Sequence, residues 1–231
     1  MLMSQPETTA DQHSAGIVRP NSLADDVYEA IFQRLISLKI EPGARITVDN
    51  LVREFNVSHT PIREALGRLE GEGLVVKTHL IGYRAAPQIT RRQFDELYEL
   101  RLLLEPHGAA KAALAMNQSK AAVLRKATVA MRGIDRSDEH LRYSTFARQD
   151  ALFHDRIMEF AGNEVIRSTI SFQHAHFHIF RLMFHERVTE EALEEHEAIL
   201  SALADADGER ARNAMKIHIE RSRDRLIPAF K

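Results

Sequence analysis

Residues 56–76, NVSHTPIREALGRLEGEGLVV, constrain this chain more than any other stretch. Thr60 followed by Pro61 predicts a helix start, with Thr60 as N-cap and Pro61 at the first helical position, where a missing N–H is not needed. Ile62, Ala65, Leu66 and Leu69 then recur at helical spacing and form one apolar stripe. Gly71 and Gly73 predict the stop, and Leu74, Val75 and Val76 predict an extended strand. The opposite face carries His59, Thr60, Arg63, Gly67 and Arg68. A helix buried on one side and lined with donors on the other suits insertion into a DNA major groove.

The flanking sequence supplies a frame for that helix. Ser22 is placed to cap a helix over 23–38, with Leu23, Val27, Ile31, Leu35 and Leu38 on one face. Glu41, Pro42 and Gly43 predict a turn, and Arg45 and Ile46 a short extended piece. Thr47 caps a second helix through Phe55, and residues 56–58 form the tight turn of a helix-turn-helix. Segments 74–77 and 83–86 around a Gly82 tip predict a two-stranded wing. Arg63 is the expected base reader, because its planar fork matches guanine O6 and N7. Arg45, Ser58 and Thr60 are expected at phosphates, Gly67 where the helix backbone approaches the groove, and Gly82 where the wing nears the minor groove.

From Thr90 the pattern becomes nearly continuous helix: about 91–115, 118–136, 139–161, 164–186, 189–205 and 208–227, with Pro106 expected to kink the first. Short connections predict an antiparallel bundle. The fold class is therefore mainly α, with three parts: a disordered tail (1–20), a winged helix-turn-helix DNA-binding domain (21–88), and an all-helical domain for metal, effector and dimerisation (89–231). Cysteine is absent, which excludes disulfides and thiolate-bound metal. Nothing resembles a signal peptide or a membrane span. The basic footprint usual for a nucleic-acid binder is missing: residues 1–88 hold nine Lys/Arg against eleven Asp/Glu. DNA binding therefore rests on motif geometry rather than on net charge.

The run PGARI…LVREFNVSHTPIREALGRLEGEGLV resembles the N-terminal domain of GntR-family bacterial transcription regulators. The helical half resembles the ligand-binding FCD domain of the FadR-like branch. The resemblance implies a cytoplasmic, homodimeric regulator that binds a pseudo-palindromic double-stranded operator, without membrane association, and answers to a small carboxylic acid. The family commonly has Arg where this chain has His59. Imidazole is shorter and largely neutral at pH 7, which implies a weaker grip there and a shallower salt dependence.

Nine of the twelve histidines lie in the helical half. Asp150 and His154 stand at i and i+4 on one face. His196 falls on the apolar stripe between Leu193 and Leu200, and His218 on the inward side with Met215 and Ala211. One carboxylate and three imidazoles suit a divalent transition metal, zinc first, with nickel, manganese or iron also compatible. The family resemblance implies the same four ligands. It also implies Arg101 as the anchor of the effector carboxylate; by spacing alone, Arg101 would form a surface ion pair with Glu105. Asn163 is read as a helix-joining turn or a donor to the effector. His174 and His178, one turn apart, are expected to line the effector pocket, with helical phase turning His176 away. An alternative reading is an HD-type metal phosphohydrolase fused to a DNA-binding module, since His154 and Asp155 are adjacent. Helical geometry points that pair about 100° apart, and no general base stands out beside it, so an enzyme is not expected.

Overall fold

A computed structural model describes residues 22–132, 138–184 and 186–230, with the side chains of 186–189 left out of the description. The expected tail, the expected last helical residues 133–136 and Ser137 of the break lie outside the described residues. Helix α1 (Leu23–Ile36) opens with a capping box in which Ser22 and Asp25 satisfy each other's backbone N–H groups. Helix α2 (Val48–Phe55) ends on Asn56 in the left-handed conformation, which short polar side chains tolerate. Helix α3 (His59–Gly71) follows at once and buries Ile62, Ala65, Leu66 and Leu69.

Two details of this module differ from expectation. The α3 N-cap is Ser58, so Thr60 and Pro61 already lie inside the first turn; Pro is accommodated there because the first helical N–H groups lack partners anyway. The sheet has three strands, β1 (Arg45–Ile46), β2 (Val75–Thr78) and β3 (Gly82–Ala85), in the order β1-β3-β2, all antiparallel. The extended piece before α2 therefore adds to the wing, pairing Arg45 with Arg84 and Ile46 with Tyr83. Gly82, at φ +100°, begins β3, and the tip proper carries an exposed Leu80.

The second half consists of α4 (Arg91–Leu114), α5 (Gln118–Arg132), α6 (Glu139–Phe160), α7 (Glu164–Phe172), α8 (Ala175–Phe180), α9 (Glu186–Ala204) and α10 (Gly208–Leu226), closed by a 3-10 turn over Ile227–Phe230. Helix α4 runs unbroken through Pro106. It packs along α10, where Tyr98 and Ser222 share a 2.8 Å hydrogen bond. Helix α6 lies between α4 and α5 and buries Phe146, Phe153 and Ile157, each contributing about 1.5–3 kcal/mol of hydrophobic stabilisation. The expected continuous helix over 164–186 is broken at Gln173 and His174. His174 adopts φ +45° and starts α8 in a new direction, so helical phase read across that point does not hold.

Candidate metal centre and nucleic-acid interface

The bundle interior gathers the four side chains whose spacing sends them inward. Asp150 and His154 from α6, His196 from α9 and His218 from α10 each bring a ligand-type atom within 4.8 Å of the others. All four are buried. His154 Nδ1 lies 2.5 Å from Glu105 Oε2, and His218 Nδ1 lies 2.9 Å from Glu195 Oε2. A carboxylate on Nδ1 holds the proton there, fixes the ring, and leaves the Nε2 lone pair for a metal.

Nε2 of His154 and both ring nitrogens of His196 are buried without a hydrogen-bond partner. His196 Nε2 does approach Asp150 Oδ1 at 3.2 Å, close enough for charge attraction but not in hydrogen-bonding geometry. Buried polar atoms are seldom left unpaired. Unpaired imidazoles converging on a carboxylate are the arrangement that a divalent transition metal would satisfy, so these residues fit one.

Electrostatics favour ligand-competent states. Burial opposes ionisation of Asp150, but the hydrogen bond from His176 and the close approach of His196 outweigh it and hold the carboxyl well below its usual range. Burial likewise opposes ionisation of Glu105, where Arg101 and His154 prevail. Glu195 resists burial through His218 and Arg225 and is held at about 2. Burial pushes His154 down to about 3 and His218 down to about 4, so both imidazoles are neutral at physiological pH.

These shifts set a pH dependence for the metal-free protein. A histidine whose folded pKa lies below its unfolded value binds fewer protons folded than unfolded in the interval between. Its contribution is fully present above about pH 6.5 and is lost as pH falls toward 4. Acidification from pH 7 to 5 is expected to destabilise the protein by up to about 1.4 kcal/mol per pH unit for each imidazole. Urea midpoints at pH 5, 6 and 7 check this; a flat profile would contradict it.

Several site residues stand elsewhere than their spacing suggests. Arg101 is buried, and its Nε donates to Glu105 Oε1 at 2.6 Å. The i+4 pair is real but interior, because α4 is enclosed by α6 and α10. His176, expected to turn away, is brought to the centre by the break before α8: its Nδ1 lies 2.6 Å from Asp150 Oδ2, and its Nε2 is buried and unpaired. His174 and His178 instead face Gly73 beyond α3, where a Cβ would meet His178 Nε2 at 3.4 Å. Asn163 caps α7 through the Ile166 N–H. Asp155 is engaged by a two-pronged contact from Arg167 at 2.8 and 2.9 Å, so it does not join His154 in an HD-type pair.

Sequence reading missed Glu195, Tyr143, Ser222 and Arg225. Tyr143, Ser222 and Arg225, with Arg101, Asp150, His176 and His218, line a cavity of about 20 Å³ beside the centre, while Glu195 supports His218 from behind. Glu195 had a local signal, being adjacent to His196. The others depend on how helices pack, which spacing does not reveal.

On the DNA-binding module, His59, Thr60, Arg63 and Gly67 are exposed along the outer face of α3. Ser58 is exposed and its side chain makes no capping hydrogen bond. His59 Nε2 lies 2.9 Å from Asp49. Arg68 is turned toward α1, paired with Asp25 at 2.7 Å and lying over the Tyr28 ring. Arg45 and Arg84 are directly opposite in the sheet and both exposed. Like charges so placed repel, an arrangement a phosphate would relieve. Arg84 was missed because the β1–β3 register is not legible in the sequence.

Comparison with known proteins agrees with this architecture. Residues 23–84 match the family model "Bacterial regulatory proteins, gntR family", and residues 96–221 match the FCD domain. The Nta operon transcriptional regulator of Aminobacter aminovorans is 29% identical over 198 residues, covering 85% of this chain and 90% of that protein. The gluconate operon transcriptional repressor of Bacillus licheniformis is 30% identical over 139 residues, 58% of this chain and 53% of that one. The solved structure of E. coli McbR/YncC superposes with a TM-score of 0.67 at 21% identity, covering 92% of this chain and all of that one, and shows the shared fold. The chain belongs to the GntR family of bacterial regulatory proteins, and is a DNA-binding transcriptional regulator with an FCD domain as its second module.

Proposed function

We propose that this regulator's hold on its operator is set by a small organic acid bound at a divalent metal, zinc foremost, held by Asp150, His154, His196 and His218. The convergence of buried, unpaired imidazole nitrogens on Asp150 carries the reading. When bound, the metal supplies a Lewis-acidic position for a carboxylate. Arg101 lines the adjoining cavity, with its Nε occupied by Glu105; its terminal nitrogens are the edge for a two-pronged carboxylate contact. Of the other expected effector contacts, Asn163 caps a helix and His178 faces the DNA-binding module, whereas His174 lines a cleft between α6, α7 and α8 together with His154 and His176.

Helix α8 supports coupling between the two modules. His176 reaches Asp150, while the next residue, Phe177, packs its ring 5.2 Å from Phe32 of α1. Just beyond, Arg181 Nη2 donates to the Ala86 carbonyl, and Gln88 donates to the Arg181 carbonyl. An acid that binds the DNA-competent and incompetent arrangements unequally shifts their populations. Repression as the sign of control is suggested by the relative named as a repressor. The protein would act as a homodimer in the cytoplasm on a pseudo-palindromic site, since one winged helix spans too few base pairs to be selective. Among the described residues, no helix is long and apolar enough to cross a membrane.

Arg63 would read base edges, with Arg45, Arg84, Ser58 and Thr60 at phosphates, Gly67 allowing close approach of α3 and Gly82 that of the wing. Arg63→Ala is expected to weaken operator binding by about 5–150-fold per half-site, from 1–3 kcal/mol per two-pronged base contact. Electrophoretic shifts against a duplex selected from a random pool measure this; wild-type affinity in the variant would remove Arg63 as reader. For the regulatory site, calorimetric titration of carboxylic acids into zinc-loaded and chelated protein is the test. Binding only by the loaded form is expected, and equal binding by both would rule out metal ligation.

A further inference from the structure

The inner cavity, at about 20 Å³, has room for a water-sized group but not for an organic acid. On its far side, between α6, α7 and α8, lies a second cleft of about 260 Å³. This outer cleft is lined chiefly by apolar groups, among them Ala151, Leu152, Met158, Ile170 and Phe177. It has space for roughly eight water-sized groups at about 30 Å³ each. His154 and His176 also stand on its wall, so it reaches the metal centre. His176 is the one residue shared by the two linings.

The His176 ring thus stands between an inner space that reaches Asp150 and His218 and an outer space that reaches His154 and has the volume. It is also the wall best placed to move. Helix α8 is short, is entered through the left-handed His174, and carries no side-chain cap. What holds the ring is the contact of its Nδ1 with Asp150, while its Nε2 has no partner. A carboxylate arriving at the centre needs the space that the ring fills, and it can stand near the anionic Asp150 only with the divalent cation between them.

We propose that His176 is a movable partition, and that the effector is a monocarboxylic acid with an apolar body: its carboxylate would meet the bound cation in the space that His176 vacates, and its body lies in the outer cleft. This rests on the metal-and-acid reading above and narrows the ligand class. A compact polyanion such as a dicarboxylate gains nothing from an apolar cleft, whereas methylenes buried there gain affinity in proportion to their area. Arg148, at the cleft wall, is paired with Glu29 and lies over the Phe32 ring. The cleft is therefore in contact with the DNA-binding module as well as with the centre.

Calorimetry on zinc-loaded protein with acetate, malonate and octanoate tests the proposal. Octanoate is expected to bind at least tenfold tighter than either of the others. Ala151→Phe, which fills the outer cleft, should remove that advantage while leaving zinc uptake intact. His176→Ala, at saturating zinc, should bind octanoate more tightly because no partition has to be displaced. Equal affinity for the three acids, an unaltered octanoate preference in Ala151→Phe, or weaker octanoate binding in His176→Ala would each overturn it. Failure of the wild-type protein to take up zinc would instead overturn the metal reading beneath it, so the two failures are distinct.

Discussion

Arg101→Ala is expected to lower the stability of this protein by about 3–5 kcal/mol, the usual cost of removing one partner of a buried ion pair. For a chain of this size that corresponds to a melting temperature roughly 6–20 °C lower. Arg101 is 2% exposed and Glu105 0%, so solvent does not screen the carboxylate left behind. The physical content is the orphaned charge rather than the lost attraction. The double variant Arg101→Met, Glu105→Leu removes both charges but leaves the buried His154 Nδ1–H without its acceptor, so it is expected to recover only part of the loss. Thermal denaturation of the two variants makes the comparison. A single variant as stable as wild type would mean that the pair is hydrated and Arg101 is not held beside the centre.

His218→Ala is expected to reduce zinc affinity by at least about 100-fold, the upper end of what loss of a mere supporting partner costs. It should also abolish the zinc-dependent rise in stability, about 2.7 kcal/mol at zinc one hundredfold above its dissociation constant. His218 is the ligand best suited to this substitution. Its partner Glu195 keeps two contacts from Arg225, at 2.7 and 2.9 Å, so no buried carboxylate is stranded. Melting curves with and without zinc, alongside competition with a chelating dye, measure both effects. Zinc affinity unchanged in the variant would exclude His218 from the ligand set.

The residues that proved legible in the sequence share a property: their positions follow from periodicity within one unbroken helix. Asp150 and His154 are one turn apart on α6, and His196 and His218 lie on the apolar stripes of α9 and α10, so spacing alone aimed them at the bundle interior. The stripe of α3 was legible for the same reason. His176 was misplaced because a single left-handed residue, His174, resets the phase before α8, and no glycine marks the break. Arg101 was assigned by spacing to the surface because i+4 geometry pairs it with Glu105 equally well outside or inside. Which of the two applies is decided by the packing of α4 against α6 and α10. The β1–β3 pairing that sets Arg45 opposite Arg84 is likewise a contact between segments distant in sequence, about forty residues apart.

The structure also tempers the apparent weakness of the DNA-binding module. Two of its acidic groups are engaged within the module, Asp25 by Arg68 and Glu72 by the Tyr28 hydroxyl at 2.7 Å. Arg63, Arg45 and Arg84 remain exposed.

The most direct measurement of the account is operator affinity, by fluorescence anisotropy on a selected duplex, across a panel of mono- and dicarboxylic acids with zinc-loaded and with chelated protein. The prediction is that at least one acid shifts the affinity of the zinc-loaded protein by about fivefold or more, the lower end of allosteric coupling, and leaves the chelated protein unmoved. No shift with any acid, or the same shift in both forms, would contradict it.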